Sequence, residues 1–343
     1  MHFDVMTRAD SWQNVTNFAR DVERVGMSGL LFTEAGQVPW MMIAAAAQAA
    51  PSLHHSTGIA VAFPRSPMIS AQIAWELAAN TKGKFRLGLG SQVKPHIERR
   101  YGVKFEQPAK RMRDYMLAVK ASIQAFRGDE RLAHDGPFYK LNLLTPQWSP
   151  TRHDYENIKI DMSAVNPLML KVTGEVADGL HVHPMHSMPY IKNRVLPALK
   201  EGALSAGRNL NDIDLIVPVL AVPGDSPEEQ ASMAKEAKTA IGFYGSTPVY
   251  AFQFDDLGYE GVRVKLAETL RSGGREALAA EVSDELLDQF GLVARWDDMA
   301  DKLIHRYNGI ASRIVMYLAK PSILENPKNL EKWGEIARAV QAA

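Results

Sequence analysis

Short runs of β-forming residues alternate with amphipathic helical stretches over nearly the whole 343-residue chain. Such alternation is typical of α/β proteins with a parallel sheet. We predict eight strands, each followed by a helix, at residues 2–6, 30–33, 56–63, 85–89, 158–162, 179–182, 213–222 and 313–318. This pattern predicts one (β/α)₈ TIM barrel over residues 1–343, since such a barrel needs about 250 residues and often carries insertions.

Two stretches interrupt the alternation. Residues 132–150 carry Gly136-Pro137 between polar and aromatic residues and predict a hairpin or a mobile loop. Residues 244–275 contain the turn signals YGSTP, LGY and SGG. Insertions of this kind lie on the βα side of barrels and often shape the active site. Tyr244 and Tyr250 either close over a substrate or pack inside the insertion.

Composition narrows the class of function. Lysine plus arginine and aspartate plus glutamate number 39 each, so no global field attracts nucleic acid or an anionic membrane. The absence of cysteine excludes disulfides, thiol nucleophiles and Cys-ligated metals. The first ten residues do not read as a signal peptide, and the apolar stretch at 41–50 is too short to span a bilayer. We expect a soluble, cytoplasmic protein.

The third predicted strand, in TGIAVAFPRSP, alternates bulky with small residues. The bulky ones are Ile59, Val61 and Phe63, and the small ones are Gly58, Ala60 and Ala62. A face of small residues allows a flat group to approach the backbone closely. The alternative is an ordinary barrel layer in which small side chains lie opposite large ones.

Two further strand ends carry chemistry. GLGSQVKPHIERRYG lacks the third glycine of a dinucleotide fingerprint because Val93 stands there, and it lacks the P-loop lysine. DMSAVNPLML places Asn166-Pro167 at a helix start, where free amides and the helix dipole favour an anion. The alternative for Asn166 is ordinary capping of the helix.

Together, TGIAVAFPRSP, KFRLGLGSQVKPHIERRYG and MSAVNPLMLKVTGEVADG resemble the luciferase-like monooxygenase superfamily. The resemblance is to the branch of F420-dependent oxidoreductases that includes methylenetetrahydromethanopterin reductase and the sugar-phosphate dehydrogenases. It implies a bacterial-luciferase-like TIM barrel, the deazaflavin coenzyme F420, and hydride transfer to or from a small organic substrate. It also implies a homodimer or a higher homo-oligomer.

The resemblance implies cofactor-binding positions. A bulge with a non-prolyl cis peptide in the third strand would support the deazaflavin ring, and the resemblance assigns that peptide to Ala60-Val61, with Phe63 and Pro64 on the same wall. The remaining cofactor-binding positions are Ser91, Gln92 and His96 after strand four, and Ser163, Ala164, Val165, Asn166, Leu168 and Met169 after strand five. Glu34, which ends strand two, takes the place of an acidic residue near the ring.

The sequence departs from the sugar-phosphate dehydrogenases at two catalytic positions. Their histidine and glutamate are replaced by Ala35 and Val93, which argues against a sugar-phosphate substrate. The proton donor therefore stays open, with Glu34 and His96 as the candidate catalytic residues.

Two clusters have competing interpretations. The histidines of GLHVHPMH (His181, His183 and His186) invite a metal, but no carboxylate motif accompanies them, so we expect no metal site. His183 is expected to face the substrate. The second cluster is basic and lies between residues 94 and 114; its members are Lys94, Arg99, Arg100, Lys104, Lys110, Arg111 and Arg113. They form either a solvated helix face or a receptor for the phosphate and oligoglutamate tail of F420, which FMN lacks.

The sequence therefore favours an F420-dependent oxidoreductase. One alternative is an FMN-dependent monooxygenase of the same superfamily, which would use a separately reduced flavin. Another is a non-catalytic barrel that binds the cofactor.

Overall fold

A computed structural model describes residues 1–8 and 10–343. The strands in this part of the chain are β1 (His2–Arg8), β2 (Gly29–Thr33), β3 (His54–Thr57), β4 (Ala60–Val61), β5 (Phe85–Gly90), β6 (His134–Asp135), β7 (Lys140–Leu141), β8 (Lys159–Ser163), β9 (Gly179–His181), β10 (Asp214–Pro223), β11 (Gly291–Ala294) and β12 (Arg313–Met316). Eight of them close a parallel barrel in the order β1, β2, β3, β5, β8, β9, β10, β12 and back to β1. The predicted (β/α)₈ barrel is confirmed.

Helices surround the barrel. The α-helices of the described residues are α1 (Trp12–Arg24), α2 (Trp40–Ala49), α3 (Pro67–Asn80), α4 (Pro108–Arg127), α5 (Pro167–Val176), α6 (Met188–Tyr190), α7 (Leu196–Ser205), α8 (Pro227–Gly245), α9 (Phe252–Asp255), α10 (Val262–Gly273), α11 (Asp284–Phe290), α12 (Trp296–Tyr307), α13 (Ala319–Glu325) and α14 (Asn329–Ala342). One-turn π-helical segments lie at His96–Arg100 and Ile191–Val195. None of the described helices is long and apolar enough to cross a membrane.

Local signals in the sequence set the ends of α1. The Ser11 hydroxyl caps the helix by accepting from the Asn14 amide at 3.1 Å. Gly26 follows the helix with a positive φ of 82°, a conformation that glycine adopts without strain. Val15 and Val22 are buried on the face toward the barrel, as the apolar spacing of an amphipathic helix requires.

The lower half of the barrel interior is ionic. Arg313 on β12 pairs with Asp4 on β1 at 2.6 Å, and both side chains are buried. Arg86 on β5 bridges Asp161 on β8, at 2.7 Å, and Asp214 on β10, at 2.8 Å. Burial opposes ionisation of Asp161, but the adjacent Arg86 lowers the pKa of that carboxyl below its ordinary value. Each of these charges therefore has a partner within the protein.

An apolar layer lies above these ion pairs, toward the carboxyl ends of the strands. It consists of Met6, Leu31, Ile216 and Val315, one residue from each of four strands. Such layers fill the interior of TIM barrels and make it a packed core rather than a pore. Ligands therefore have to bind above it, at the carboxyl ends of the strands.

The second half departs from the predicted simple alternation. Between the seventh and eighth barrel strands, the chain forms α8 to α12 and an additional strand, β11, which extends β10 beyond the barrel. Met233, Ile241 and Phe254 belong to a second hydrophobic cluster formed largely by this insertion. The four residues of β11 carry too little pattern to be separated from the adjoining helices in the sequence.

The other interruption is a hairpin, as one of the two predictions for residues 132–150 proposed. β6 pairs with β7 antiparallel, and Asp114 on α4 anchors the turn. The Asp114 carboxylate accepts from the His134 ring at 2.8 Å and from the amides of Phe138 and Tyr139 at 2.7 and 2.9 Å.

Candidate functional site

The candidate site is the mouth of the barrel, the opening formed where the strands end. We define the mouth by Arg8, Thr33, Ile59, Gly90, Ser163, His183 and Tyr317. In TIM-barrel enzymes the βα loops at this end carry the chemistry.

The wall of the mouth between β2 and β5 is bulged. Ser56 pairs with Arg86, but Ala60 pairs with Leu89, so the offset between partners falls from 30 to 29 residues. One extra residue is therefore inserted between β3 and β4, which is the definition of a β-bulge. The bulge that the resemblance implies in this strand is present.

The bulge corrects two details of the sequence prediction. The cis peptide joins Gly58 to Ile59, not Ala60 to Val61. The extra residue also reverses the faces of the strand beyond it. Ala60 is fully buried and shares the outward side of the sheet with its partner Leu89, so its methyl group does not line the mouth.

Ile59 faces the mouth instead of the small residues. Its side chain packs against Gly90, where a Cβ would lie 2.8 Å from Ile59 Cδ1 and 2.5 Å from Ser163 Oγ. Glycine is therefore needed at position 90 for these two side chains to approach the strand. Ile59 is partly exposed and gives the mouth an apolar wall that sequence alternation assigned to the wrong face.

Glu34 holds this wall from behind. Its carboxylate accepts from the Val61 amide at 2.8 Å, and it forms a two-pronged ion pair with Arg65 at 2.6 and 2.8 Å. Arg65 also donates to the Val61 carbonyl at 2.6 Å. We call Glu34, Val61 and Arg65 the clamp. Both Glu34 oxygens are engaged, so the geometry fits a positioning role better than the proton donation considered for this residue.

The loop after β5 is open to solvent. Gln92 adopts a left-handed conformation with φ of 58°, and its side-chain oxygen accepts from the Val93 amide at 3.0 Å. The Ser91 hydroxyl donates to the Gln92 carbonyl at 3.2 Å. His96, the other candidate proton donor, is exposed at the start of a π-helical turn.

The start of α5 lies beside this loop. Asn166 occupies the N-cap position but makes no capping hydrogen bond with its side chain, so the capping alternative is not what the structure shows. Leu168 is 71% exposed, and the amides of the first helical turn, including that of Met169, face the same end. The Val165 carbonyl is fixed by the Tyr190 hydroxyl at 2.8 Å, whereas Ala164 is buried and Ser163 half-buried.

Phe63 and Pro64 close the same side. Phe63 is buried against Phe105 and lies under Arg111, whose guanidinium carbon is 4.4 Å from the ring centroid. Pro64 is half-buried. Phe63 therefore supports the wall through packing, and Pro64 has the exposure that contact with a ligand requires.

His183 lies between two tyrosines of the large insertion. Its ring centroid is 4.7 Å from that of Tyr244 and 4.3 Å from that of Tyr250. His183 Nδ1 lies 3.1 Å from the Met185 amide, which can donate to it, and 3.3 Å from the Met185 carbonyl. The shorter contact favours the tautomer with the proton on Nε2. Burial lowers the pKa of His183 to about 4, and the neutral form therefore prevails near pH 7.

The three histidines of this strand diverge. His181 points inward toward Asp161, with 3.7 Å between Nε2 and Oδ2. His186 donates from Nδ1 to the His183 carbonyl at 2.9 Å and accepts at Nε2 from the Tyr307 hydroxyl at 3.2 Å. Within the described ranges, no group of three or more metal-ligating side chains is arranged to hold an ion.

The basic residues after β5 divide into two groups. Arg113 pairs with Glu175 at 2.6 Å, Lys104 with Glu106 at 2.5 Å, and Arg111 bonds to Tyr139 at 2.9 Å. Arg99 and Lys110 are both exposed, and neither makes an ion pair with another described residue. The cluster is therefore mostly engaged, and two cations are left for a ligand.

Sequence reasoning missed Arg65, Thr33, Arg8 and Tyr317 at the mouth. No sequence feature singles out Arg65, because its contact with Glu34 joins distant segments. Arg8 could have been found from its position in the sequence, because it ends the first strand on the same face as Asp4 and Met6.

The structure also contains grooves away from the mouth. One, of about 650 Å³, lies between α3 and residues 147–153 and is lined in part by Trp75, Trp148 and His153. It contains none of the predicted site residues. The clamp, the bulge and the fixed histidine all lie at the mouth, so the mouth is the better candidate.

A closed parallel barrel with a bulged wall and polar groups at its mouth defines a (β/α)₈ TIM barrel whose candidate site lies at the carboxyl ends of the strands. Residues 1–313 match the model of the luciferase-like monooxygenase family. The chain belongs to this family, whose members are oxidoreductases or monooxygenases.

Two relatives are informative at the level of sequence. An uncharacterized protein from Mycobacterium tuberculosis is 34% identical over 294 residues, 86% of each chain. The 5,10-methylenetetrahydromethanopterin reductase of Archaeoglobus fulgidus is 24% identical over 248 residues, 72% of this chain and 71% of the relative.

Two solved structures represent the two cofactor classes. The F420-dependent tetrahydromethanopterin reductase of Methanopyrus kandleri superposes with a TM-score of 0.80 at 18% identity, covering 97% of each chain. The oxygenating component of 3,6-diketocamphane monooxygenase from Pseudomonas putida, in complex with FMN, gives a TM-score of 0.67 at 15% identity, with 99% of this chain and 98% of that chain covered. Both similarities establish the fold.

Proposed function

We propose that this protein is an F420-dependent oxidoreductase that transfers a hydride between the deazaflavin and a small organic substrate. The observation that carries the proposal is the bulged wall, in which half-exposed Ile59 faces the mouth and the clamp fixes the backbone behind it. An apolar, rigid surface at the mouth is what a flat ring system needs for orientation and for exclusion of water.

The hydrogen-bond donors and positive charges near the mouth fit the phosphate and the acidic tail of the cofactor. The uncapped first turn of α5 offers backbone amides to a phosphate. Arg99 and Lys110 offer unpaired charge to an acidic tail of the kind F420 carries. Ser91, Gln92 and His96 would lie along the path between the ring and that tail.

The roles of the chain's own residues follow from their contacts. The bound deazaflavin would supply or accept the hydride. Glu34 and Arg65 would hold the wall in place without exchanging protons. His183 would donate a hydrogen bond from Nε2 to a substrate oxygen, and Tyr244 and Tyr250 keep its ring from rotating.

Two relatives support F420 over FMN as the cofactor. The archaeal reductase is detectable from sequence, and the F420-dependent structure superposes with the higher of the two TM-scores quoted above. An FMN-dependent monooxygenase is the second candidate, because the FMN-bound structure shares the fold over nearly its whole length. By analogy we also expect a homodimer or larger homo-oligomer, which light scattering after size exclusion would test.

Titration with F420 and, separately, with FMN tests the cofactor. We expect F420 to bind with high affinity, reported by quenching of the fluorescence of F420 or of the protein. FMN should bind more weakly. The Arg65→Met variant locates the binding site. It opens the clamp without touching the α5 start, so it should weaken F420 binding if the ring lies against the bulged wall. The reverse preference would favour the monooxygenase, and binding of neither would leave the functional proposal without support.

A further inference from the structure

Arg8 lies at the mouth of the barrel, at the end of β1. It is the last residue of β1, pairs with Thr33 on β2, and is exposed. Along β1 it shares a face with Asp4, which forms the buried ion pair, and Met6, which belongs to the apolar layer. Arg8 is therefore the uppermost inward-facing residue of its strand.

The charge of Arg8 has no partner among the residues that the structure describes. Asp10, two residues further along the chain, and Glu34, at the end of the adjacent strand, are engaged with other residues. Asp10 pairs with Lys320 at 3.7 Å and accepts from the Ser11 amide, and Glu34 is held by Arg65. No described carboxylate lies within ion-pair distance of the Arg8 guanidinium.

The neighbours of Arg8 are neutral hydrogen-bonding groups. Burial raises the pKa of Tyr317 and of Tyr244, and the nearby positive charge of Arg8 only partly offsets that effect. Tyr244 also contacts His183, whose Nε2 carries a proton. Tyr317 follows Met316, the partner of Val5, and so lies beside Met6, one step below Arg8 on the adjacent strand. We call Arg8, Tyr317, Tyr244 and His183 the arc, in which the charge of Arg8 has no described carboxylate partner.

A second cation lies beside the arc. Arg275 stacks on Phe243, with 4.9 Å from its guanidinium carbon to the ring centroid, and its charge also acts on Tyr244. Phe243 in turn packs edge-on against Tyr244. The large insertion therefore adds a positive charge to this side of the mouth.

We propose that the substrate is a small oxo or hydroxy acid whose carboxylate pairs with Arg8 and whose other oxygen faces His183. Guanidinium binds carboxylate through paired, charge-assisted hydrogen bonds. Arg8 ends β1 and His183 follows β9, with β10 and β12 between these strands in the barrel. A small substrate with two oxygen-bearing groups can therefore reach both side chains from the mouth. In the reducing direction, reduced F420 would supply the hydride to the carbonyl carbon, and the proton released as F420 is oxidised would reach the carbonyl oxygen, which gives the hydroxy acid and oxidised F420.

This inference deepens the proposed function and is tested separately from it. Ligand-observed NMR titrations would use 2-oxobutanoate and 4-oxopentanoate, each against its methyl ester, on protein with and without F420. We expect at least one acid to bind wild type about tenfold or more tighter than its ester, because the ester lacks the charge that Arg8 recognises.

Variants assign the effect to Arg8. Arg8→Ala should lose the preference for the acid by about tenfold, Arg8→Lys should keep part of it, and the exposed Arg20→Ala on α1 should change nothing. Thermal unfolding checks that each variant folds. F420 affinity should be unchanged in Arg8→Ala.

The inference is overturned if neither acid binds wild type, if ester and acid bind equally, or if Arg8→Ala binds the acid as well as wild type does. Loss of F420 affinity in Arg8→Ala would also overturn it, by assigning Arg8 to the cofactor. Failure of wild type to bind F420 would refute the proposed function instead, and the acid–ester comparison on the cofactor-free protein would still decide the anion site.

Discussion

The two ends of the barrel use the same residue types in opposite ways. At the lower end, Asp4 pairs with Arg313, and Arg86 with Asp161, inside the protein. At the mouth, Arg8 is exposed without a carboxylate partner among the described residues. Both arginines, Arg8 and Arg313, lie on inward faces of adjacent strands.

This difference separates structural charges from functional ones. In a buried ion pair each charge is already paired with the other, so neither has capacity left for a ligand. A cation that faces neutral phenols and an imidazole keeps its capacity for an anion. Residue type alone does not separate structural from functional charges, because the difference lies in whether a charge has a partner within the protein.

The largest expected effect would come from breaking a pair at the lower end. Arg313→Met should leave the Asp4 carboxylate buried and unpaired and lower the free energy of unfolding by about 3–5 kcal/mol. Urea denaturation would measure the change. The double variant with Asp4→Leu should recover most of the loss, and Arg8→Met at the mouth should change the free energy of unfolding by less than about 0.5 kcal/mol. Equal effects of the two single variants would remove the contrast between the two ends.

Breaking the clamp should give the next largest effect, a loss of affinity for the cofactor. Glu34→Gln and Arg65→Met each remove charge-assisted hydrogen bonds that fix Val61. Each variant should therefore raise the F420 dissociation constant by about 10- to 100-fold, which corresponds to about 1.5–3 kcal/mol. If Glu34 were the proton donor, Glu34→Gln would abolish turnover at saturating cofactor while Arg65→Met would not.

A smaller effect is expected at the start of α5. Asn166→Asp places a negative charge beside the cofactor phosphate and should weaken F420 binding by on the order of 1–3 kcal/mol. Fluorescence titration measures it, and Asn17→Asp on the exposed face of α1 is the matched control. Unchanged affinity in Asn166→Asp would mean that the phosphate binds elsewhere.

Counted per pH unit, the smallest effect concerns acid stability, and it should be alike at both ends. Burial, followed by the nearby Arg313, lowers the pKa of His54 to about 4, and burial lowers that of His183 to about 4. A histidine with a depressed folded-state pKa contributes stability above its unfolded pKa of about 6.5, and this contribution is lost as pH falls toward 4.

His54→Phe and His183→Phe should therefore each reduce the slope of unfolding free energy against pH between 6.5 and 4, by up to about 1.4 kcal/mol per pH unit. Denaturation at several pH values measures the slope. Above pH 7 the difference from wild type should be constant. A variant that keeps the wild-type slope would show that its histidine does not titrate in this window.

Periodicity alone predicted the barrel, because each parallel strand and helix carries its own pattern. It failed at irregular points of the chain. It missed the short strand β11, whose four residues carry too little pattern. The bulge shifted every face after Gly58 by one residue, and no feature of the alternation reveals an inserted residue.

The site was predictable as positions but not as contacts. Glu34, the β5 loop and the α5 start were found because each follows a strand, and parallel strands end together. The pairing of Glu34 with Arg65 and the enclosure of His183 by Tyr244 and Tyr250 depend on how distant segments pack. These contacts change the expected roles, with Glu34 positioned as a support and His183 as the donor.

Hydrogen–deuterium exchange with and without F420 tests most directly that the mouth is the cofactor site. We predict that F420 protects backbone amides in residues 54–63, 90–100 and 163–170, with no change in residues 72–80 and 147–153 of the outer groove. Protection confined to the groove, or no protection at the bulge, would contradict the assignment of the site to the mouth of the barrel.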